Sequence, residues 1–427
     1  MIPYGKQDIN QQDIDAVIAV LQSDFLTQGP QVPLFEQALI AHTGADYAVA
    51  CNSATSALHL ACLALELGEG DWLWTTPITF VASANCGLYC GAKVDFVDID
   101  PATYNLCPKA LEKKLITAKA QNKLPKVVIP VHLCGQSCDM AAIHALSLQY
   151  GFKIIEDAAH AIGGTYQGSP IGCGQYADIT VFSFHPVKIV TTAEGGAALT
   201  NQRALADKMM RLRSHGITRD KTLMMPISGF DIDEQGDWYY QQLELGFNYR
   251  MTELQAALGV SQIQRLQAFV TKRRRLANRY NTLLADLPLT LPTQLEKTNS
   301  AWHLYVVGLQ LEPMDLLQKN SAKKDLLKTS SSQAFLPKNK VFKQLRELGI
   351  GVNLHYIPVH TQPYYQQMGF AYGDFPVAEN YYQQALSLPL FHGMTDQQQD
   401  EVVAALQTVL VQSVLVNSVL LIDGSRN

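Results

Sequence analysis

A chain of 427 residues, 47% apolar and 17% charged, has the composition of a globular protein and exceeds the usual size of one compact domain, so two domains sharing a cleft are expected. Its 33 basic and 38 acidic residues leave a net charge of -5, with no basic surplus to draw nucleic acid or an anionic membrane, so any phosphate-bearing ligand has to be held locally. The opening, Met1 to Asp8, lacks the charged head and apolar run of a signal peptide, and a cytoplasmic location is expected.

An amphipathic start (Ile14, Val17, Ile18, Val20, Leu21) leads into a repeated pattern of short apolar run, turn and helix-like segment. The runs fall at 47–50, 72–74, 93–97, 126–131, 153–156, 179–183 and 196–200. Continuous apolar strands alternating with helices predict an α/β fold with a mostly parallel sheet covered on both faces. Ligands bind such sheets at the carboxyl ends of the strands, and Asn52, His132, Asp157, Ser183 and Lys188 fall there.

A charged helical stretch near 251–284 bridges to a second domain, and its Lys272-Arg273-Arg274-Arg275 run reads as a solvated helix face or an interface. Strands are expected at 303–309 and 351–356 with a helix between them, interrupted by an exposed insertion, Glu312 to Lys338, rich in Lys, Ser and Gln. The end, Val402 to Ile422, is apolar but broken by Gln407, Gln412, Ser413, Asn417 and Ser418, which favours a packed helix over a membrane span. The expected division is a large domain over 12–250, a small one over 251–410, residues 1–11 contributing to the ligand pocket, and a tail over 411–427. Eight cysteines include no C-x-x-C pair and read as small core residues, so no metal site is expected.

Four segments carry candidate chemistry. Asn52-Ser53-Ala54-Thr55-Ser56-Ala57 opens a helix with small and hydroxylated residues, which suits a phosphate cradle and equally an ordinary Ser/Thr cap. Phe80, in Thr76-Pro77-Ile78-Thr79-Phe80, stands where it can stack on a planar ring or pack in the core. Asp157 ends an apolar strand, where its carboxylate is costly to bury unless a cation or donor meets it, or unless it caps the turn that follows. Lys188 follows a proline in an apolar setting that suits a depressed pKa or a covalent role, the alternative being a surface lysine lying along apolar neighbours. An amine and a buried carboxylate about thirty positions apart are what pyridoxal phosphate needs: the amine joins the aldehyde, and the carboxylate keeps the pyridine nitrogen protonated. Ser183 adds a hydroxyl at a strand end, and His160 and His185 orient ring or ligand or serve as structural histidines.

With N-S-A-T-S-A-L, T-P-I-T-F-V-A, E-D-A-A-H-A, S-F-H-P-V-K and T-T-A-E-G-G-A together, the chain resembles the DegT/DnrJ/EryC1/StrS nucleotide-sugar aminotransferases over about residues 4–410. The resemblance implies the fold type I (aspartate aminotransferase-like) architecture and pyridoxal 5'-phosphate. Lys188 would form the Schiff base, Asp157 would pair with the pyridine nitrogen, Ser53, Ala54, Thr55 and Ser183 would hold the phosphate, and Phe80 would cover the ring. Asn248 matches a residue that reaches the neighbouring subunit's phosphate, which implies a homodimer with shared sites. Tyr4, Asp24, Phe25, Leu26, Thr27, Asn353, Leu354, His355 and Tyr356 match segments lining the sugar-nucleotide pocket. The opening Ile2-Pro3-Tyr4-Gly5, the run Leu26-Thr27-Gln28-Gly29 and the Leu354-His355-Tyr356-Ile357-Pro358 segment are most similar to the pseudaminic acid branch. That branch implies a UDP-linked 4-keto-6-deoxy-N-acetylhexosamine as acceptor and L-glutamate as donor. Other nucleotide 4-keto sugars, of legionaminic acid or bacillosamine type, are the nearest alternatives. A sugar dehydratase of the family would carry histidine in place of Lys188, and a silent binding protein would have little use for Asp157 together with Lys188.

Overall fold

The computed structural model describes residues 1–310 and 337–423, with side chains through Leu410, so the expected insertion lies almost wholly outside the described residues. The first helix, α1 (Gln11–Leu21), begins at a reciprocal cap: the Asn10 side chain accepts from the Asp13 N–H, and the Asp13 carboxylate accepts from the Asn10 N–H. Helix α2 (Gln31–Thr43) ends at Gly44, whose φ of 78° is left-handed. Strands and helices then alternate: β1 (Tyr47–Cys51), α3 (Ala54–Ala64), β2 (Trp72–Thr75), α4 (Ala82–Tyr89), β3 (Lys93–Phe96), α5 (Pro108–Ala120), β4 (Val127–Ile129), α6 (Met140–Tyr150) and β5 (Lys153–Asp157). Short strands β6 (Thr165–Tyr166) and β7 (Ser169–Pro170) precede β8 (Ile179–Ser183), β9 (Gly196–Thr200) and α7 (Arg203–Arg213).

Among the described residues, seven strands form one sheet in the order β1-β9-β8-β5-β4-β2-β3. Pairs from β8 through β3 are parallel, while β9 runs antiparallel to both β1 and β8. Each expected apolar run overlaps one of these strands, with β1, β2 and β5 each running one residue further. The run at 126–131 is cut short because Pro130 has no N–H for the ladder; beyond it, Val131 pairs once with Asp157. The reversal of β9 follows from its connection: residues 184–195 contain no helix to cross the sheet, so the chain folds straight back. All five residues of β8 and of β9 are buried.

The remainder comprises β10 (Ile217–Thr218), β11 (Gln241–Gln242), α8 (Glu253–Ile263), α9 (Leu266–Leu283), β12 (Leu289–Thr290), β13 (Thr298–Asn299), β14 (Tyr305–Leu309), α10 (Lys338–Glu347), α11 (Pro363–Gln366), α12 (Pro376–Gln384), β15 (Ala385–Leu388) and α13 (Asp396–Asp423). An antiparallel sheet, β12-β14-β15, packs a second core with Tyr280, Trp302, Leu345, Val402 and Leu406. The strand expected at 351–356 is reduced to one bridge, in which the Asn353 and Ser387 main chains exchange hydrogen bonds of 3.1 and 2.8 Å. Beyond Asn353 the chain leaves the sheet, and the partner strand β15 takes the place the pattern assigned to it. Among the described residues no helix is long and apolar enough to cross a membrane.

Two sequence expectations change. Ile14, Ile18 and Leu21 of α1 are 44%, 43% and 59% exposed, whereas Asp13 is buried against Arg265, Gln262 and Ser261. The charge network of Asp13, together with the buried Val20, seats α1 on the molecule, while the rest of the apolar stripe faces outward or is half-buried. The basic run of α9 is also not a solvated face throughout. Arg273 is buried and donates to the carbonyls of Trp302, His303 and Leu390, and burial pushes its pKa down to about 10. Arg274 donates to the carbonyls of Gly163, Asn299 and Ser300, and Arg275 pairs with Asp396 near the surface. Helix α9 lends Leu266, Phe269 and Val270 to the core beside the large sheet and Leu276, Ala277 and Tyr280 to the second core, so Arg273 sits where the two meet.

Arg273→Met keeps an apolar stem but strips three buried carbonyls of their donor, and it should lower the free energy of unfolding by about 3 kcal/mol or more. Arg275→Met, whose ion pair is exposed, should barely move the urea midpoint. Equal midpoints for the two variants would contradict this placement of Arg273.

Candidate active site

The carboxyl end of β5 delivers Asp157 into the interior, where its main chain is fixed by N–H donation to Pro130 O and by acceptance from His132 N–H. Ser83, the second residue of α4, donates its hydroxyl to Asp157 Oδ2 at 2.5 Å, and Ala159 N–H donates to Oδ1 at 3.1 Å. A carboxylate has about four acceptor positions, so two remain for a ligand. No helix follows Asp157, so the capping alternative reduces to the single Ala159 contact.

Lys188 stands in the connection between β8 and β9. That connection is pinned by Phe184 N–H to Gly195 O, Thr192 N–H to Phe184 O, Lys188 N–H to His185 O, and the Thr191 hydroxyl on Phe184 O. The side chain is partly buried, and loss of water pushes its pKa from 10.5 to about 8, opposed by the charge of Asp157. An amine so placed is largely a cation at pH 7 yet releases its proton far more readily than a surface lysine.

Helix α3 begins at Ser53, whose hydroxyl oxygen accepts from Ser56 N–H at 3.1 Å, while Ser56 Oγ donates to Asn52 Oδ1 at 2.7 Å. Capping and cradle are therefore compatible: the cap occupies one first-turn N–H, and Ala54 and Thr55 face the cavity. Gly196 makes this approach possible, because a Cβ there would come within 2.4 Å of Ala54 N.

These elements surround a cavity of about 480 Å³ lined by Ser53, Ala54, Thr55, Asp157, Ser183 and Lys188. Phe80, His160, His185, Tyr4, His355 and Tyr356 complete the expected set, and sequence reasoning missed Leu58, Thr79, Ala82, Val131, Ala159, Val187, Glu194 and Gly195. Apart from Glu194, these lack a distinctive chemical signature; their membership is set by backbone approach. Asp24, Phe25, Leu26 and Thr27 are exposed and stand outside this lining, as do Asn353 and Leu354, which lead into it. Asn248 is exposed, outside the lining, and bridged through its main chain to Ser214. A second cavity, of about 570 Å³ beside α5 and α6, uses Asp100 and Asp139 in local turns and caps and gathers no comparable set of groups.

His160 and His355 are uncharged. Burial holds His160 well below its ordinary value, assisted by repulsion from Lys188 and His355, and burial followed by Lys188 depresses His355 to about 3. Cys134 N–H can only donate, so the His160 Nδ1 it reaches at 3.3 Å is bare, and His160 Nε2 carries the proton toward Tyr356 Oη at 3.0 Å. The Tyr356 hydroxyl proton is then free for a ligand, and burial keeps the phenol neutral by raising its pKa. On the other side His355 Nδ1 meets Ser387 Oγ at 2.8 Å, and Tyr381 donates to His355 O at 2.6 Å.

A cavity holding a low-pKa amine, a carboxylate with open acceptor positions and a helix start with cavity-facing N–H groups fits pyridoxal phosphate: aldehyde, ring nitrogen and phosphate each find a counterpart. Residues 7–407 match the model of the DegT/DnrJ/EryC1/StrS aminotransferase family. The spore coat polysaccharide biosynthesis protein SpsC of Bacillus subtilis is 37% identical over 412 residues, covering 96% of this chain and 97% of that protein. Helicobacter pylori PseC, an aminotransferase involved in pseudaminic acid biosynthesis, superposes with a TM-score of 0.81 at 29% identity, covering 96% of this chain and 99% of that one. The PLP form of the sugar aminotransferase Spr1654 from Streptococcus pneumoniae gives 0.80 at 27% identity, with 96% and 99% coverage.

Because the neutral amine is the nucleophile, cofactor-free protein should react at Lys188 with formaldehyde and cyanoborohydride at a rate that rises about tenfold per pH unit and levels off above about 8. Asp157→Asn removes a charge that holds the proton on Lys188, so this midpoint should move down further. Peptide mapping of the methylated product reads the rate; a midpoint near that of a free lysine would refute the buried placement.

Proposed function

This chain belongs to the DegT/DnrJ/EryC1/StrS aminotransferase family of PLP-dependent sugar aminotransferases with the fold type I architecture, and on that premise we propose that it aminates C4 of a UDP-linked 4-keto-6-deoxy-N-acetylhexosamine. The proposed donor is L-glutamate, the product UDP-4-amino-4,6-dideoxy-N-acetyl-β-L-altrosamine, and the setting the cytoplasm. The observation that carries the transaminase reading is the convergence of Lys188, Asp157 and the α3 start on one cavity.

Pyridoxal phosphate supplies an aldehyde that takes up the donor's amino group and a ring that accepts the electron pair left when the donor α-carbon loses its proton. Lys188 would hold the cofactor's aldehyde, and its Nζ, once free, would be the base that takes up the donor's α-proton. Asp157 would keep the ring nitrogen protonated, Ser53, Ala54, Thr55 and Ser183 would hold the phosphate, and Phe80 would lie against the ring. The acceptor ketone is served by the same groups in reverse, so kinetics should be ping-pong. Tyr4, His355 and Tyr356 lie where they can orient the sugar, and Tyr356 can do so with a free hydroxyl proton.

The homodimer rests on two features. Asn248 is exposed and lies outside the cavity lining of its own chain. The apolar residues Ile14, Ile18, Leu21, Phe25 and Leu26 are 43–59% exposed, a surface suited to a second copy. A second reading, amination of another nucleotide 4-keto sugar for surface polysaccharide, draws support from the greater identity to SpsC (37%) than to PseC (29%).

Incubation with glutamate and a panel of UDP- and GDP-linked 4-keto sugars, followed by NMR of the products, separates the readings. The proposal expects the β-L-altro product from the UDP-linked substrate, and turnover only of a different sugar would favour the second. Shared sites predict complementation: mixing inactive Lys188→Ala with inactive Asn248→Ala subunits should recover about a quarter of wild-type sites, since half the dimers are hybrid and each hybrid has one intact site. Hybrids that form without activity would put Asn248 at work within its own chain.

A further inference from the structure

Behind Asp157 stands a directional chain of hydroxyls. Ser83 is fully buried and has one proton to give, and its oxygen lies 2.5 Å from Asp157 Oδ2, against 3.4 Å from Phe80 O. A carboxylate outcompetes a carbonyl as acceptor, so the proton goes to Asp157. Thr79, also buried, has its Oγ1 2.7 Å from Ser83 Oγ. With the Ser83 proton committed, Thr79 has to be the donor in that pair, and the order Thr79 to Ser83 to Asp157 is fixed.

Both hydroxyls come from one piece of chain, the turn after β2 and the first turn of α4. The same turn presents Phe80 to the cavity at 60% exposure. Backbone geometry thus couples the residue expected over the ring to the donors that hold the carboxylate expected beneath the ring nitrogen. A charge-assisted bond to a buried carboxylate is about twice as strong as a neutral one, and a donor behind the donor strengthens it again.

We propose that Ser83, supported by Thr79, is a positioning residue that holds the Asp157 carboxylate turned toward the cavity, so that Asp157 can hold a heterocyclic nitrogen in its protonated form. This rests on the pyridoxal phosphate reading of the cavity and deepens it: no contact of Ser83 with cofactor or substrate is required. Ala159 N–H alone would leave Oδ2 without its protein donor.

Two measurements test it, one of them independent of the cofactor. In cofactor-free protein, the carboxylate stretch of Asp157, isolated by infrared difference against Asp157→Asn, should shift in Ser83→Ala and shift less in Thr79→Val, which keeps its shape and loses only the donor. In holoprotein carrying 15N-labelled pyridoxal phosphate, the ring-nitrogen resonance of Ser83→Ala at neutral pH should move toward the unprotonated position. Its kcat should fall by about ten- to a hundredfold with donor KM changed less than about threefold. An unchanged infrared band with unchanged nitrogen resonance would overturn the inference, even if Ser83→Ala is less stable. Should Ser83→Ala not fold, an unaltered band and resonance in Thr79→Val would do the same. Wild-type protein that takes up no pyridoxal phosphate would instead overturn the cofactor reading, while the infrared comparison still decides whether Ser83 holds Asp157.

Discussion

A carboxylate at the inner end of a central strand is the constraint around which the site is arranged. Burying Asp157 without donors would cost several kcal/mol, and the surrounding chain supplies them from two directions. The β5 register puts the residue at the carboxyl edge of the sheet, α4 brings Ser83 from the crossover after β2, on the far side of β4, and the turn after β5 brings Ala159 N–H. Lys188 then feels the same carboxylate from across the cavity: its charge opposes the desolvation that lowers the lysine pKa. Moving Asp157 would alter donor geometry on one side and amine basicity on the other.

The large sheet was legible because its strands are buried on both faces and read as continuous apolar runs, and the residues at their carboxyl ends stood out as polar interruptions. Asp157, Ser183 and Lys188 were found that way. Ser83 was not, since a serine in Ala82-Ser83-Ala84 looks like helix filler until α4, packed beside β2 and β3, brings its hydroxyl to Asp157, and the donation that matters spans residues distant in sequence. The reversed direction of β9 was hidden for a related reason: apolar content says that a strand is buried, while direction depends on whether its connection can cross the sheet. Residues 351–356 show the converse failure. Their composition is strand-like, but after the Asn353 bridge the segment delivers His355 and Tyr356 to the cavity.

Charged residues misled most where they are interior. The basic run of α9 reads as a solvated face or an interface, and Arg273 takes the second part, satisfying three carbonyls at the junction of two cores. A guanidinium serves there because its several donors can reach converging carbonyls without a carboxylate partner, at the cost that burial lowers its pKa to about 10. Asp13 is the acidic counterpart: it closes the start of α1 and receives Arg265, so helix capping and tertiary docking use one side chain. Once that polar face is turned inward, Ile14, Ile18 and Leu21 must face out.

That outward stripe bears on how selectivity for a sugar would arise. The chemistry-bearing groups, Lys188, Asp157 and the start of α3, belong to one chain and gather around one cavity. The segments matched to the sugar pocket divide: Tyr4, His355 and Tyr356 reach the cavity, whereas 24–27 lie on exposed chain directly after the apolar face of α1. If a second copy covers that apolar surface, as proposed, residues 24–27 could vary without disturbing Asp157 or Lys188, with which they share no hydrogen bond among the described residues. In the proposed dimer, reaction type would be set by buried donors within a chain and choice of sugar by the rim that two chains would build together, a division that would let one catalytic set serve different nucleotide sugars.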